Sequence, residues 1–285
     1  MTATPDMTIE ARRVLLDALD ALHAHRASLI LVGAQAVYLR TAEITLSFSA
    51  SYTTDGDLVI DPRHLAGDPH LDTVMRAAAF EPVYQARPGI WGKQIPIGDH
   101  TDTVTIDLIV PEAVSGPGTR GARLGPHGNR AAGRAVGLEA ALIDHGPLVI
   151  TALDPTDTRR VTINVAGPAA LLVAKLHKLH DRVTDQSRRP DRVRGKDAAD
   201  IYRLMQNLTP ATATATLQQL LTTNPAREAT SDALTYLHEL FATPRSPGTQ
   251  LAIDALRGDI PNERVTAICT TFTRTTLAAI NDPQR

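Results

Sequence analysis

Two aspartates one residue apart open an apolar, β-branched run in Thr53-Thr54-Asp55-Gly56-Asp57-Leu58-Val59-Ile60. On a strand, residues i and i+2 share a face, about 7 Å apart. Asp55 and Asp57 would therefore project together from the end of an otherwise buried strand. Their charges repel, and apolar neighbours make ionisation less favourable still. A cation resolves such an arrangement, and a hard ion such as Mg²⁺ binds through one or two carboxylates plus substrate phosphates. The competing reading of Asp55 is a turn cap, with Gly56 in the turn.

A third carboxylate fits the same picture. Asp107 lies inside Thr103-Val104-Thr105-Ile106-Asp107-Leu108-Ile109-Val110, a second strand by pattern. A lone carboxylate in a buried strand is costly unless paired or metal-bound; on a solvated face it needs no such partner. Upstream, Ser28-Leu29-Ile30-Leu31-Val32 reads as a buried strand that runs into Gly33-Ala34. Small residues there allow close approach of a ligand to the backbone. A helix starting near Ala34 would offer its free N–H groups to a phosphate. Taken alone, this is also what an ordinary strand-to-helix turn looks like.

The order of a strand, Gly-small, a short helix ending in Arg40, Thr-x-Asp-x-Asp-Leu and a strand with one Asp resembles the polymerase-β-type nucleotidyltransferase superfamily over about residues 28–110. The resemblance implies that Gly33 and Ala34 hold a triphosphate and that Asp55, Asp57 and Asp107 bind two Mg²⁺ ions. Gly33-Ala34 stands where the pattern has Gly-Gly or Gly-Ser, so one hydroxyl donor is missing, and Thr53 or Thr54 is the candidate replacement.

A second block extends the likeness to about residue 205. Residues 167–182 read as a strong helix, with Leu172, Leu176, Leu179 and Val183 on one apolar stripe. Lys175, Lys178 and Arg182 fall on a neighbouring face, off that stripe. Lys196-Asp197-x-x-Asp200 opens the next helix. This layout is similar to the abortive-infection type E toxins, nucleotidyltransferase toxins of bacterial toxin–antitoxin pairs. The likeness implies transfer of a pyrimidine nucleotide from CTP or UTP to the 3′ end of tRNA, with a cognate antitoxin as partner. It implies catalytic-region roles for Lys175 and Asp197, and nucleotide contacts for Arg40, Lys178 and Asp200. Without the likeness, the basic face is a solvated surface and Lys196 with Asp200 an ordinary i,i+4 pair.

Composition limits the alternatives. The 285 residues are 43% hydrophobic, enough for a large core and two domains. There is no secretory h-region near Met1 and no run of about 18 apolar residues, so a cytoplasmic protein is expected. One cysteine argues against a disulfide framework and a Cys zinc site. The net charge is only −2, yet basic residues cluster. Residues 115–134 carry Arg120, Arg123, Arg130 and Arg134 without a carboxylate, and Arg188, Arg189, Arg192 and Arg194 follow the long helix. Such clusters suit a protein that holds nucleic acid at one face; each is alternatively a solvated loop. Gly116 to Gly121 matches GxGxxG, but the Gly/Pro-rich residues after it cannot form the helix a dinucleotide site requires. His177 and His180 lack the glutamate of a zinc-protease helix.

The expected fold class is α+β. Residues 1–165 would form a polymerase-β-like core with a mixed sheet, and 166–285 a helical domain. Helices are expected over 8–25, 34–40 and 69–79, strands over 28–32, 57–61, 94–97, 102–110, 148–150 and 161–163, and a flexible loop over 115–134. Helices near 212–222, 229–241, 247–257 and 262–280 complete the reading. Two rival functions share the fold: a small-molecule nucleotidyltransferase, and a non-catalytic nucleotide- or partner-binding protein.

Overall fold

The computed structural model describes residues 7–42, 53, 55–84, 86–97, 100–186 and 195–282. The chain is α+β and divides into two compact units. One comprises Met1–Ala36, Tyr52–Ala135 and His145–Ala166, the other Val37–Ser51, Val136–Asp144 and Gly167–Arg285.

The first unit is built on a mixed sheet. Helix α1 (Met7–Ala21) leads through a 3-10 turn (His23–Ser28) into strand β1 (Leu29–Val32), followed by α2 (Gly33–Arg40) and β2 (Asp55–Ile60). Then come α3 (Leu71–Ala77), β3 (Glu81–Pro82), β4 (Ile90–Ile97), β5 (His100–Pro111), β6 (Gly133–Ala135), β7 (His145–Thr151) and β8 (Arg160–Ala166). The sheet order is β3-β4-β5-β2-β1-β8-β7, with β6 added at the end of β5. Strand β1 runs antiparallel to β2 and parallel to β8, and β2 runs parallel to β5. Along β5, Val104, Ile106, Leu108 and Val110 are buried, while Thr103, Thr105, Asp107 and Ile109 are half-exposed. That alternation is the pleat of a strand with one face packed. Helix α1 supplies part of the packing: Leu15 Cδ1 and Ile106 Cδ1 lie 3.3 and 2.8 Å from where a Cβ on Gly56 would stand.

The first helix ends at Ala21, not near 25. The residues that follow tighten into the 3-10 turn, which buries His25 and Ser28 and lets His25 Nε2 donate to the Pro69 carbonyl at 2.7 Å. Strand β4 is longer than the expected 94–97. Gly92 and Pro96 break its apolar pattern, but β3 pairs only with Trp91 and Gly92, so Pro96 sits where the outer edge has no partner strand to serve.

The segment 115–134 is not a flexible loop. Ala122 N–H donates to Ala132 O at 3.0 Å, Arg123 N–H to Ser115 O at 2.9 Å, and Trp91 Nε1–H to Ala131 O at 2.9 Å. His127 Nδ1 accepts the Leu71 N–H at 3.2 Å, so its proton is on Nε2, which donates to Ala66 O at 2.8 Å. Glycines at positive φ, Gly116 and Gly118 among them, make the turns. The composition that excludes regular structure here is the composition of a tightly turned, hydrogen-bonded segment.

The second unit is helical: α4 (Pro168–Thr184), α5 (Gly195–Asn207), α6 (Pro210–Thr222), α7 (Arg227–Phe241), α8 (Pro247–Ala255) and α9 (Asn262–Asn281). Leu172, Leu176, Leu179, Ile201, Leu217, Leu237, Phe241 and Phe272 are among its core residues. No helix among the described residues is long and apolar enough to cross a membrane.

Candidate functional site

Strands β2 and β5 bring the aspartates together. Their parallel register sets Asp57 directly opposite Asp107 and Asp55 opposite Thr105. Side chains in register on adjacent strands share a face and are about 4.8 Å apart at the backbone. Asp55 and Asp57 are half-exposed, whereas Gly56 between them is buried on the α1 side. All three carboxylates therefore lie on the sheet face opposite α1.

The start of α2 closes on the same spot. Val32 pairs with Asp57 across the antiparallel ladder, so the next residue, Gly33, comes against the Asp57 side chain. A Cβ on Gly33 would lie 1.9 Å from Asp57 Oδ2, and the residue has φ +71°. Glycine is required there on both counts. Ala34 is buried behind it. Thr53 Oγ1 donates to Asp55 Oδ1 at 2.6 Å. Thr54 lies outside the described residues.

One supporting residue escaped the reading of the sequence. Gln35 is 3% exposed. Its Nε2 donates to the Asp55 carbonyl at 3.1 Å, and its Oε1 accepts Arg12 Nε–H at 2.9 Å. Arg12 is itself buried and also donates to Thr151 O at 3.0 Å. A glutamine two residues after Gly33, on a helix of small and apolar residues, is the signal that was present.

Oxygen donors of this kind suit a hard cation such as Mg²⁺, and a side chain at position 33 would collide with the Asp57 carboxylate. Among the described residues, however, no group of three or more His, Cys, Asp or Glu side chains comes close enough together to hold a metal ion.

The second unit holds a different cluster. Lys175 is 4% exposed, and the reading that set it off the packed stripe is corrected: α4 buries it with Leu171, Leu172 and Leu176. Its Nζ donates to Asp197 Oδ1 at 3.0 Å and Asp200 Oδ2 at 2.6 Å. Arg182 pairs with the other oxygen of Asp197. Burial works against the ammonium, but the carboxylates of Asp200 and Asp197 outweigh it and raise Lys175 above the usual lysine range. Burial likewise opposes the Asp197 carboxylate, yet Lys175, Lys178 and Arg182 hold it down at about 2. Asp200, buried more deeply, is pushed upward by desolvation against the pull of Lys175. Helical spacing missed this burial because α5 is covered on nearly every side, from Asp197 to Met205.

Lys178 is exposed. Arg40 is half-buried at the end of α2; burial lowers its pKa and the Asp144 carboxylate works in the other direction. His177 Nε2 donates to Ala229 O at 2.7 Å, and His180 stacks on Tyr236 with ring centroids 3.8 Å apart, so both have packing partners. Arg120 and Arg123 are exposed on the folded 115–134 segment. Arg188, Arg189, Arg192 and Arg194 lie outside the described residues.

No family model matches this chain, and no curated protein or solved structure does either. What the protein does must be read from its residues.

Proposed function

We propose that this chain is a Mg²⁺-dependent nucleotidyltransferase that moves a nucleoside monophosphate from CTP or UTP to the 3′ end of tRNA, as the toxin of a toxin–antitoxin pair. One observation carries the transferase reading. Asp57 and Asp107 are in register on parallel strands, Asp55 shares their face, and a glycine at the head of α2 makes room for the Asp57 carboxylate.

The chemistry follows from those groups. The terminal hydroxyl of the acceptor attacks the α-phosphorus in line; the new P–O bond forms as the bond to pyrophosphate breaks. Asp107 draws off the hydroxyl proton. Two Mg²⁺ ions, if Asp55, Asp57 and Asp107 drew closer together than they stand here, would supply neutralisation of charge on the attacking and leaving oxygens. The backbone at Gly33 and Ala34, at the positive end of α2, suits the triphosphate. Lys175 serves this reading as the buried counter-charge that holds Asp197 and Asp200. Lys178, exposed on α4, serves this reading as a cation for a phosphate group. Supporting a nucleic-acid acceptor, the 115–134 segment carries four arginines and no carboxylate. Tailed tRNA could not be charged, and an antitoxin protein would be needed to keep the producing cell alive.

The test is incorporation of each labelled NTP into total tRNA with Mg²⁺, for wild type and Asp57→Ala. The variant should fold and transfer nothing, because one half of the in-register carboxylate pair is gone. Full transfer by a folded Asp57→Ala protein would overturn the assignment.

A further inference from the structure

The first unit contains a pocket of about 340 Å³ that the aspartate site does not use. Arg120, Arg123 and Arg130 line it, with Pro88 and Pro117 as stiff walls, and no carboxylate is among the described residues that line it. That is an unusual concentration of positive charge in a chain of net charge −2. The neighbouring Arg134 is committed elsewhere: it donates to the carbonyls of Gly116 and Gly118 and pairs with Glu112 at 3.1 Å, which fixes the loop carrying the pocket. Arg120 makes one long hydrogen bond, 3.4 Å to the Ala86 carbonyl across the pocket wall. The Arg123 guanidinium has no hydrogen-bond or ion-pair partner among the described residues.

The floor is rigid. A Cβ on Gly121 would lie 1.9 Å from the Asn129 carbonyl oxygen, so the two sides of the loop touch through their backbones. Gly89 N–H donates to Arg130 O at 3.2 Å, and Leu108 N–H to Gly89 O at 2.8 Å. The pocket is thereby tied to the strand residue after Asp107. Ile90 is the register partner of Asp107, and Pro88 of the pocket wall lies two residues before it in the chain.

A second feature precedes the pocket wall in the chain. Tyr84 is 54% exposed, and Arg87 lies over it with its guanidinium carbon 5.7 Å from the ring centroid. Tyr84 is two residues from Ala86 in the pocket wall. An exposed ring combined with guanidinium groups is the pairing by which proteins hold single-stranded nucleic acid: cations take the backbone and rings take the bases.

We infer that this pocket seats one phosphodiester of a single-stranded RNA end, with a neighbouring base stacked on Tyr84. The inference rests on the transferase reading only for why the RNA is there; binding itself needs neither NTP nor metal.

The experiment measures binding of a short labelled single-stranded oligoribonucleotide by anisotropy, without NTP or Mg²⁺, across a salt series. The Arg120→Gln/Arg123→Gln/Arg130→Gln variant should bind at least tenfold more weakly, and its salt slope should fall by roughly 0.7 for each phosphate no longer neutralised. Tyr84→Ala should weaken binding about tenfold with the slope unchanged, since stacking releases no counterions. Melting curves check that both variants fold. Wild-type affinity in both variants would overturn the inference, and so would weakened UTP or CTP binding with RNA binding intact. The two readings separate cleanly. Loss of RNA binding in the variants with no NMP transfer by wild type keeps the pocket and removes the transferase. Transfer with oligonucleotide binding untouched by the substitutions does the reverse.

Discussion

A methyl group on Gly33 would fall 1.9 Å from Asp57 Oδ2, on a backbone with φ +71°. Gly33→Ala therefore meets two obstacles. The left-handed conformation costs an L-residue about 1–2 kcal/mol, and the Asp57 carboxylate must move away from its place opposite Asp107. The expected outcome is a protein that melts modestly lower and loses metal-dependent transfer out of proportion to its stability. Thermal melts beside single-turnover transfer would separate the two effects. If Gly33→Ala lost stability but kept full activity per folded molecule, the approach to Asp57 would matter only to packing. Gln35 belongs to the same scale. It holds the backbone of Asp55 and not its side chain, so its replacement should loosen the site without removing a ligand.

Helices α4 and α5 share one ion cluster, and that cluster decides how substitutions there behave. Removing one partner of a buried charge group leaves the others uncompensated, typically at a cost of about 3–5 kcal/mol. Lys175→Ala strands two carboxylates that are each under 5% exposed, so a large fall in stability is expected. Replacing Lys175, Asp197 and Asp200 together by Met, Leu and Leu should cost less, because the three fully buried charges go together and only the part-exposed Arg182 loses a partner. Denaturant titration of both variants is the measurement; equal losses would show that the ion cluster is not what Lys175 stabilises. The cluster also predicts a pH response. Asp197 is held at about 2 in the fold, below the ordinary carboxyl value of about 3.9. Its contribution is complete above about pH 4 and is lost as pH falls toward 2, where the folded carboxylate protonates. An acid titration of Asp197→Asn should lack that part of the slope, and an unchanged acid limb would refute it.

At the scale of the molecule, the chain passes between its two compact units five times: after Ala36, Ser51, Ala135, Asp144 and Ala166. Cutting near 165, where composition turns helical, does not separate them. Residues 136–144 belong with the helices. Ala140, Ala141 and Leu142 are buried, Asp144 Oδ2 accepts the Ala170 N–H at 2.9 Å near the start of α4, and the Asp144 carbonyl accepts Gly167 N–H at 2.7 Å. A fragment of residues 1–166 carries those apolar residues without the helices that cover them. A fragment of 167–285 leaves the first turn of α4 uncapped. Neither fragment should unfold cooperatively as a monomer, as circular dichroism and limited proteolysis would report. A cooperative melt from either one would show that the interleaving is dispensable.

Short-range chemistry was legible from the sequence alone. Alternation along 103–110 marks a half-buried strand, and β-branched residues mark the partner that carries Asp55 and Asp57, because pleat period and burial act over a few residues. The α+β class and most helices follow for the same reason. Tertiary structure decided what depends on distant partners. The register that sets Asp57 opposite Asp107 spans fifty positions of chain. The burial of Lys175 depends on Asp197 and Asp200 arriving from the next helix. The order of 115–134 comes from hydrogen bonds such as Leu71 with His127 and Trp91 with Ala131. A charged side chain has no preference for surface or core until its counter-charges are in place, and a glycine-rich segment has no preferred path until distant donors and acceptors pin it.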